Sequence, residues 1–199
     1  MSEGKASLKN IPCVILAGGK SSRMKEDKAL LPLGDADTII EYQYERLKPY
    51  FKKLYISSKN DKFSFHADLI LDESDIFSPM VALKRILETI DEEKVFIITV
   101  DTPFVTKSTI EKIINNSDDY EITVAKTEKI HNLCGLFTKS LYSKISNLLE
   151  QNIHKVNYLL RESRTNYIEF SDEKEFANLN TPEEYKNAIK LISKLNNTY

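Results

Sequence analysis

The run Val95-Phe96-Ile97-Ile98-Thr99-Val100, closed by Asp101, constrains this 199-residue chain more than any other feature. It lacks polar–apolar alternation, so neither face of the strand can be left to water. Such a strand belongs inside a parallel sheet covered on both sides. Shorter apolar runs repeat the signal at Cys13 to Leu16, Leu54 to Ser57, Leu69 to Leu71, Ile122 to Ala125, Gly135 to Thr138 and Tyr167 to Phe170. Between them lie stretches of helical period. Ile39, Ile40, Tyr44 and Leu47 form one stripe, and Val81, Leu83, Ile86, Leu87 and Ile90 a second. Ile110, Ile113 and Ile114 form a third, and Leu141, Ile145, Leu148 and Leu149 a fourth. Strands alternating with helices predict an α/β domain with a mostly parallel sheet.

The last helix announces its own start. Thr181 stands as N-cap, Pro182 occupies the first helical position, and Glu184 completes a capping box; Tyr185, Ala188, Ile189 and Ile192 supply the apolar stripe. No repeat or Gly/Ser-rich linker divides the chain, so a single domain over 1–199 is expected, with a loosely ordered tail over 1–10 and a frayed end at Asn196 to Tyr199.

Composition narrows the function classes. Hydrophobic residues make up 41% and charged residues 29%, which excludes disordered and low-complexity chains. The net charge of -2 argues against binding nucleic acid or an anionic membrane through total charge, and a local phosphate site stays open. Cys13 and Cys134 sit apart in apolar runs without metal-ligand spacing and read as buried thiols of a reducing compartment. No segment approaches the roughly 18 apolar residues of a membrane span, and Met1 to Asn10 lacks a signal-peptide core. The expected location is cytoplasmic.

The chemistry should lie where the first strand ends, at Ile15-Leu16-Ala17-Gly18-Gly19-Lys20-Ser21-Ser22-Arg23-Met24, followed by Lys25-Glu26-Asp27-Lys28-Ala29-Leu30-Leu31. Glycine lets backbone N–H groups approach a ligand without a Cβ in the way. Successive N–H groups make an anion nest, to which Arg23 and Lys28 add full charges. The string matches neither a Walker A loop nor GxGxxG. A glycine turn before a solvated basic loop is the plain alternative. Asp101, at the carboxyl end of the central strand, stands where open α/β sheets bind ligands. It could merely cap a turn; beside a phosphate cradle it is also what a Mg²⁺ bridging phosphate oxygens requires.

Leu16-Ala17-Gly18-Gly19-x-x-x-Arg23-Met24 with Lys28 close behind resembles the opening motif of the nucleotidyltransferase superfamily. Within it, the likeness is nearest to the molybdenum cofactor guanylyltransferases. Asp27-Lys28-Ala29-Leu30-Leu31, Asp101-Thr102-Pro103-Phe104 and Asn178-Leu179-Asn180-Thr181-Pro182-Glu183 resemble further segments of that family, so the likeness runs from about Pro12 to Lys190. It implies a Rossmann-like three-layer nucleotidyltransferase fold. It also implies that Leu16, Ala17, Gly18, Gly19, Lys28, Ser57, Asp72 and Asp101 bind the nucleotide, that Asp101 holds Mg²⁺, and that Asn178 and Asn180 lie near the acceptor. Ser57 falls where relatives often carry an asparagine.

The implied reaction is attack by the terminal phosphate of molybdenum-molybdopterin on the α-phosphorus of GTP, with pyrophosphate released. Arg23, Lys28 and Asp101 carry the charge stabilisation. Molybdoenzyme chaperones or other cofactor-biosynthesis proteins are the implied partners. Cytidylyl transfer, nucleotide transfer to a sugar phosphate, and a non-catalytic nucleotide-binding regulatory domain stay open as alternatives.

Two family glycines are replaced: Lys25 follows Arg-Met, and Ser78-Pro79-Met80-Val81-Ala82 stands for Gly-Pro-Leu-x-Gly. His131 resembles a family strand-entry histidine, either a substrate contact or a satisfied surface residue. His66 and His154 read as structural or solvated. Asn178 and Asn180, two apart in an extended segment, point the same way, although asparagine also crowds naturally around a helix N-cap.

Overall fold

The computed structural model describes residues 8–18 and 27–196, with side chains described to 193. The chain forms a seven-stranded sheet in the order β3-β2-β1-β4-β6-β5-β7. Its strands are β1 (Cys13–Leu16), β2 (Leu54–Ser58), β3 (Asp68–Leu71), β4 (Lys94–Thr99), β5 (Ile122–Lys126), β6 (Ile130–Thr138) and β7 (Thr165–Glu169). β3, β2, β1 and β4 are mutually parallel; β6 runs antiparallel to β4 and β5, and β7 returns parallel to β5. This is the single-domain, mostly parallel α/β architecture the apolar runs require.

The strands alternate their side chains between two cores. Cys13 and Ile15 of β1, with Phe96 and Ile98 of β4, pack on one face with α1 (Ile39–Leu47), α3 (Lys107–Ile114) and the closing helix α6 (Pro182–Asn196). Val14, Leu16, Val95 and Ile97 face α2 (Pro79–Thr89), α4 (Leu141–Glu150) and α5 (Val156–Arg161) on the other. Each apolar residue therefore finds a dry partner whichever way the pleat turns it.

Several boundaries differ from the sequence reading. β6 begins five residues before the apolar Gly135 run, because its first half is partly exposed. The register shifts between Val124 and Ala125, and a Cβ at Gly135 would lie 2.2 Å from the Thr123 carbonyl oxygen, a close approach only glycine allows. β7 is a half-exposed edge strand with a weak apolar signal, displaced two residues from its expected start. The six residues of α5 are too few for a periodic stripe. Leu8–Asn10 forms a 3-10 turn with Leu8 buried, so the loose tail expected over 1–10 does not include these residues. The capping box at α6 forms: Thr181 Oγ1 accepts from Glu184 N at 3.2 Å, and Glu184 Oε2 accepts from Thr181 N at 2.8 Å. Among the described residues no helix is long and apolar enough to cross a membrane.

Candidate active site

The sheet reverses its order of growth between β1 and β4, since the chain adds β2 and β3 on one side of β1 and then crosses to the other. A crevice outside the carboxyl ends of the strands is expected at such a point. A cavity of about 260 Å³ opens there, lined among others by Leu16, Ala17, Gly18, Lys28, Ser57, Asp72 and Asp101. The folded chain thus gathers these sequence candidates into one space. Gly19, Lys25 and Arg23 lie outside the described residues.

Lys28 enters the cavity from a 3-10 turn, Lys28–Leu30, that Asp27 caps by accepting from Ala29 N at 3.1 Å. Lys62 binds the Asp27 carboxylate and donates to the Ala17 carbonyl at 3.4 Å, tying this turn to the end of β1. The Lys28 Nζ then donates to Asp101 Oδ2 and to Asn180 Oδ1, each at 2.7 Å. Asp101 sits just past β4, where its carbonyl accepts from Leu179 N at 2.9 Å and Val100 N donates to Leu16 O at 3.0 Å. The α6 capping box reaches the same place, because Glu184 Oε2 also accepts from Asn180 N at 2.9 Å. Asn178 is half-buried and does not line the cavity.

At the other end, Ser57 and Asp72 are buried beside β2 and β3. Lys59, which the sequence reading did not single out, donates to Asp72 Oδ2 at 2.7 Å and to the carbonyls of Ser74 at 2.5 Å and Ile76 at 2.9 Å. Its signal was position alone, one residue past a strand that neighbours β1. Ser78 caps α2 through Met80 N at 3.2 Å and meets His154 Nδ1 at 3.1 Å, so His154 supports the segment that replaces the family glycines. Ser78 and Ala82 both line the cavity.

His131 does not reach it. Its ring stacks on Phe176 at 4.3 Å, its Nε2 meets Thr127 Oγ1 at 3.0 Å, and burial pushes its pKa down to about 4. This is a neutral, satisfied core histidine. His66 is exposed. Cys13 and Cys134 are free and buried; burial raises both thiols, Cys134 to about 12, so neither is a ready nucleophile.

Asp101 offers a hard oxygen ligand. Among the described residues no three His, Cys, Asp or Glu side chains gather into a cage. One carboxylate is nevertheless what Mg²⁺ needs when it keeps waters and shares its shell with substrate phosphates. The donor set fits that role.

Residues 13–166 match the model of the MobA-like NTP transferase domain. The chain is 42% identical to a molybdenum cofactor guanylyltransferase of Campylobacter jejuni over 90% of this chain and 95% of that protein. A protein of the same name from Helicobacter pylori is 35% identical over 94% and 96%. Among solved structures, an Aquifex aeolicus protein is 33% identical, with TM-score 0.75 and coverage of 91% of this chain and 100% of that one. Molybdopterin-guanine dinucleotide biosynthesis protein A of Archaeoglobus fulgidus shares the fold at 18% identity, with TM-score 0.80 and coverage of 92% and 100%.

Proposed function

The chain belongs to the MobA-like NTP transferase family, and from that membership we propose that it transfers GMP from GTP to the terminal phosphate of molybdenum-molybdopterin. The observation that carries this reading is the meeting of Lys28, Asp101 and Asn180 at 2.7 Å, where the cavity joins the carboxyl ends of β1 and β4. The family's three separate sequence segments converge on one ammonium.

In the reaction a phosphate oxygen of the acceptor forms a bond to the α-phosphorus of GTP, and the bond to the β-phosphate oxygen breaks, carrying its electron pair onto pyrophosphate. A phosphate nucleophile is already ionised at neutral pH, so no general base is needed. The protein's task is positioning and charge stabilisation. Ala17 and Gly18 offer backbone to the phosphates without bulky side chains. Lys28 exchanges its carboxylate partner for phosphate oxygens, and Arg23 adds a second cation to the leaving pyrophosphate. Asp101, released by Lys28, is the residue that would hold Mg²⁺, which when bound supplies Lewis-acid stabilisation of the phosphate oxygens. Ser57 and Asp72 serve the nucleoside side, and Asn180 with Asn178 the acceptor side.

The reading extends to a cytoplasmic enzyme that hands its product to molybdoenzyme chaperones or other cofactor-biosynthesis proteins, with the two free, buried cysteines as support. Its test is a nucleotide comparison. With Mg²⁺ and molybdenum-molybdopterin, radiolabel from the α-phosphate of GTP should appear in a dinucleotide product, and CTP should support far less. Equal use of both would remove the guanosine assignment and leave the phosphate chemistry standing.

A further inference from the structure

The turn that carries Asp101 is fastened from behind by α1. Gln43 is fully buried, and its Nε2 donates to the carbonyls of Thr99 at 3.2 Å and Thr102 at 3.4 Å, which flank Val100 and Asp101. Its Oε1 accepts from Arg46 Nη2 at 2.8 Å, and Arg46 Nη1 donates to the Val105 carbonyl at 2.5 Å. One amide and one guanidinium, a helical turn apart, thus hold three carbonyls between residues 99 and 105.

As packing alone this is an expensive choice. Gln43 interrupts the apolar stripe of Ile39, Ile40, Tyr44 and Leu47, where a leucine would bury more apolar surface. Arg46 loses hydration without full compensation, since its buried Nε has no hydrogen-bond partner among the described residues. Burial accordingly holds its pKa below the usual arginine value. The Thr99 carbonyl also accepts from Thr102 N at 3.3 Å and Thr102 Oγ1 at 3.0 Å, so the pair adds a further donor there. It supplies one donor each to the carbonyls of the buried residues Thr102 and Val105, all within the segment carrying Asp101.

We propose that Gln43 and Arg46 are positioning residues for Asp101, fixing the backbone from Thr99 to Val105 so that the carboxylate faces the phosphates and their divalent cation. The inference rests on the reading of Asp101 given above. Neither residue touches substrate; they act through the turn. A misplacement of about 1 Å at a reacting centre can cost on the order of 100-fold in rate.

Gln43→Glu keeps the shape and the Arg46 partner but can no longer donate to the two carbonyls, and Gln43→Asn keeps the amide one methylene short. Wild type and both variants are compared for pyrophosphate release, for Mn²⁺ binding in the presence of GTP by paramagnetic resonance, and for backbone amide exchange. The expected result is a fall in kcat of about 10- to 100-fold that exceeds any change in KM for GTP. Mn²⁺ binding should weaken roughly tenfold, and exchange should quicken in the 99–106 segment while β5 and β7 stay protected. A folded variant with Mn²⁺ affinity or kcat within twofold of wild type overturns the proposal, as does exchange that rises evenly across the sheet. Should Gln43→Glu fail to fold, Gln43→Asn and Arg46→Lys are read by the same criteria. A wild type that releases no pyrophosphate overturns the proposed function instead, and Mn²⁺ binding and exchange then decide this inference.

Discussion

At one end of the cavity Lys28 meets Asp101 at 2.7 Å, and at the other Lys59 meets Asp72 at the same distance. Exposure does not separate the pairs much either: the side chains are 19% and 16% exposed in the first and 21% and 8% in the second. Their remaining partners do. Lys28 also holds the side-chain oxygen of Asn180, which can rotate away, whereas Lys59 also donates to the main-chain carbonyls of Ser74 and Ile76 and lies 5.2 Å from the centroid of the Phe77 ring. Those carbonyls cannot leave without moving the loop. Under the proposed function the first pair exchanges its partners for a phosphate and a cation, while the second staples the cavity wall. An ion pair's separation and burial therefore do not reveal its role; the replaceability of its partners does.

The comparison can be broken most severely at Asp101. Asp101→Asn keeps the size and removes the charge, so pyrophosphate release should fall by roughly two to three orders of magnitude, the scale of losing one preorganised electrostatic contact. Binding of metal-free GTP to the same variant should not weaken, because a negative group has left an anion site. Full Mg²⁺-dependent turnover would move the metal site, with Asp72 the next candidate.

Lys28→Ala should cost turnover or GTP binding about 1.5–3 kcal/mol, roughly 10- to 100-fold, the range of a charge-assisted hydrogen bond. Its melting temperature should change little, since the lost pair is an exchangeable one. Unchanged kinetics in the folded variant would make Lys28 a structural cation like Lys59.

Lys59→Met should show the reverse pattern. It leaves the buried Asp72 carboxylate without its cation and frees the loop over 72–77, so stability should drop by about 1–3 kcal/mol, visible as a lowered Tm. KM for GTP should rise while kcat stays within roughly threefold, because the loop forms the wall and not the reacting centre. A large kcat loss with an unchanged KM would erase the distinction between the pairs.

The smallest effect on turnover is expected at His131, a buried polar residue outside the cavity. His131→Gln should leave activity within about twofold and change the acid stability instead. The folded pKa of about 4 lies below the ordinary 6.5. As pH falls below 6.5 the unfolded chain therefore binds a proton that the folded chain refuses. Stability contributed by the neutral ring is complete above that pH and declines toward pH 4, by about 2–3 kcal/mol. Urea titrations across that window should show a shallower decline in the variant than in wild type.

Much of this was legible in the linear chain because it is governed by local rules. The central strand had to be buried on both faces because its run Val95 to Ile98 is apolar without alternation. Thr181 and Glu184 defined the start of α6 through contacts three residues apart. Leu16-Ala17-Gly18 and Asp101 were marked by their residue types at strand ends, and Lys28 as a cation in the loop that follows the glycines. The half-exposed start of β6, the edge strand β7 and the six-residue α5 were not, since partial burial leaves no clean period. Gln43 was not singled out from the sequence although it interrupts an apolar stripe, and nothing in that stripe says which carbonyls it faces.

Tertiary structure alone decided the encounters. Lys28 meets Asp101 across 73 residues and Asn180 across 152, and Gln43 reaches the Asp101 turn across 56 and 59. The sequence determined that the chain would build a mostly parallel sheet with charged and glycine-bearing strand ends, because burial and capping act over a few residues. Which of those ends share a cavity depends on the order in which strands join the sheet. Placing β1 against β4, and α1 and α6 on the same face behind them, is settled by the packing of the two cores as a whole.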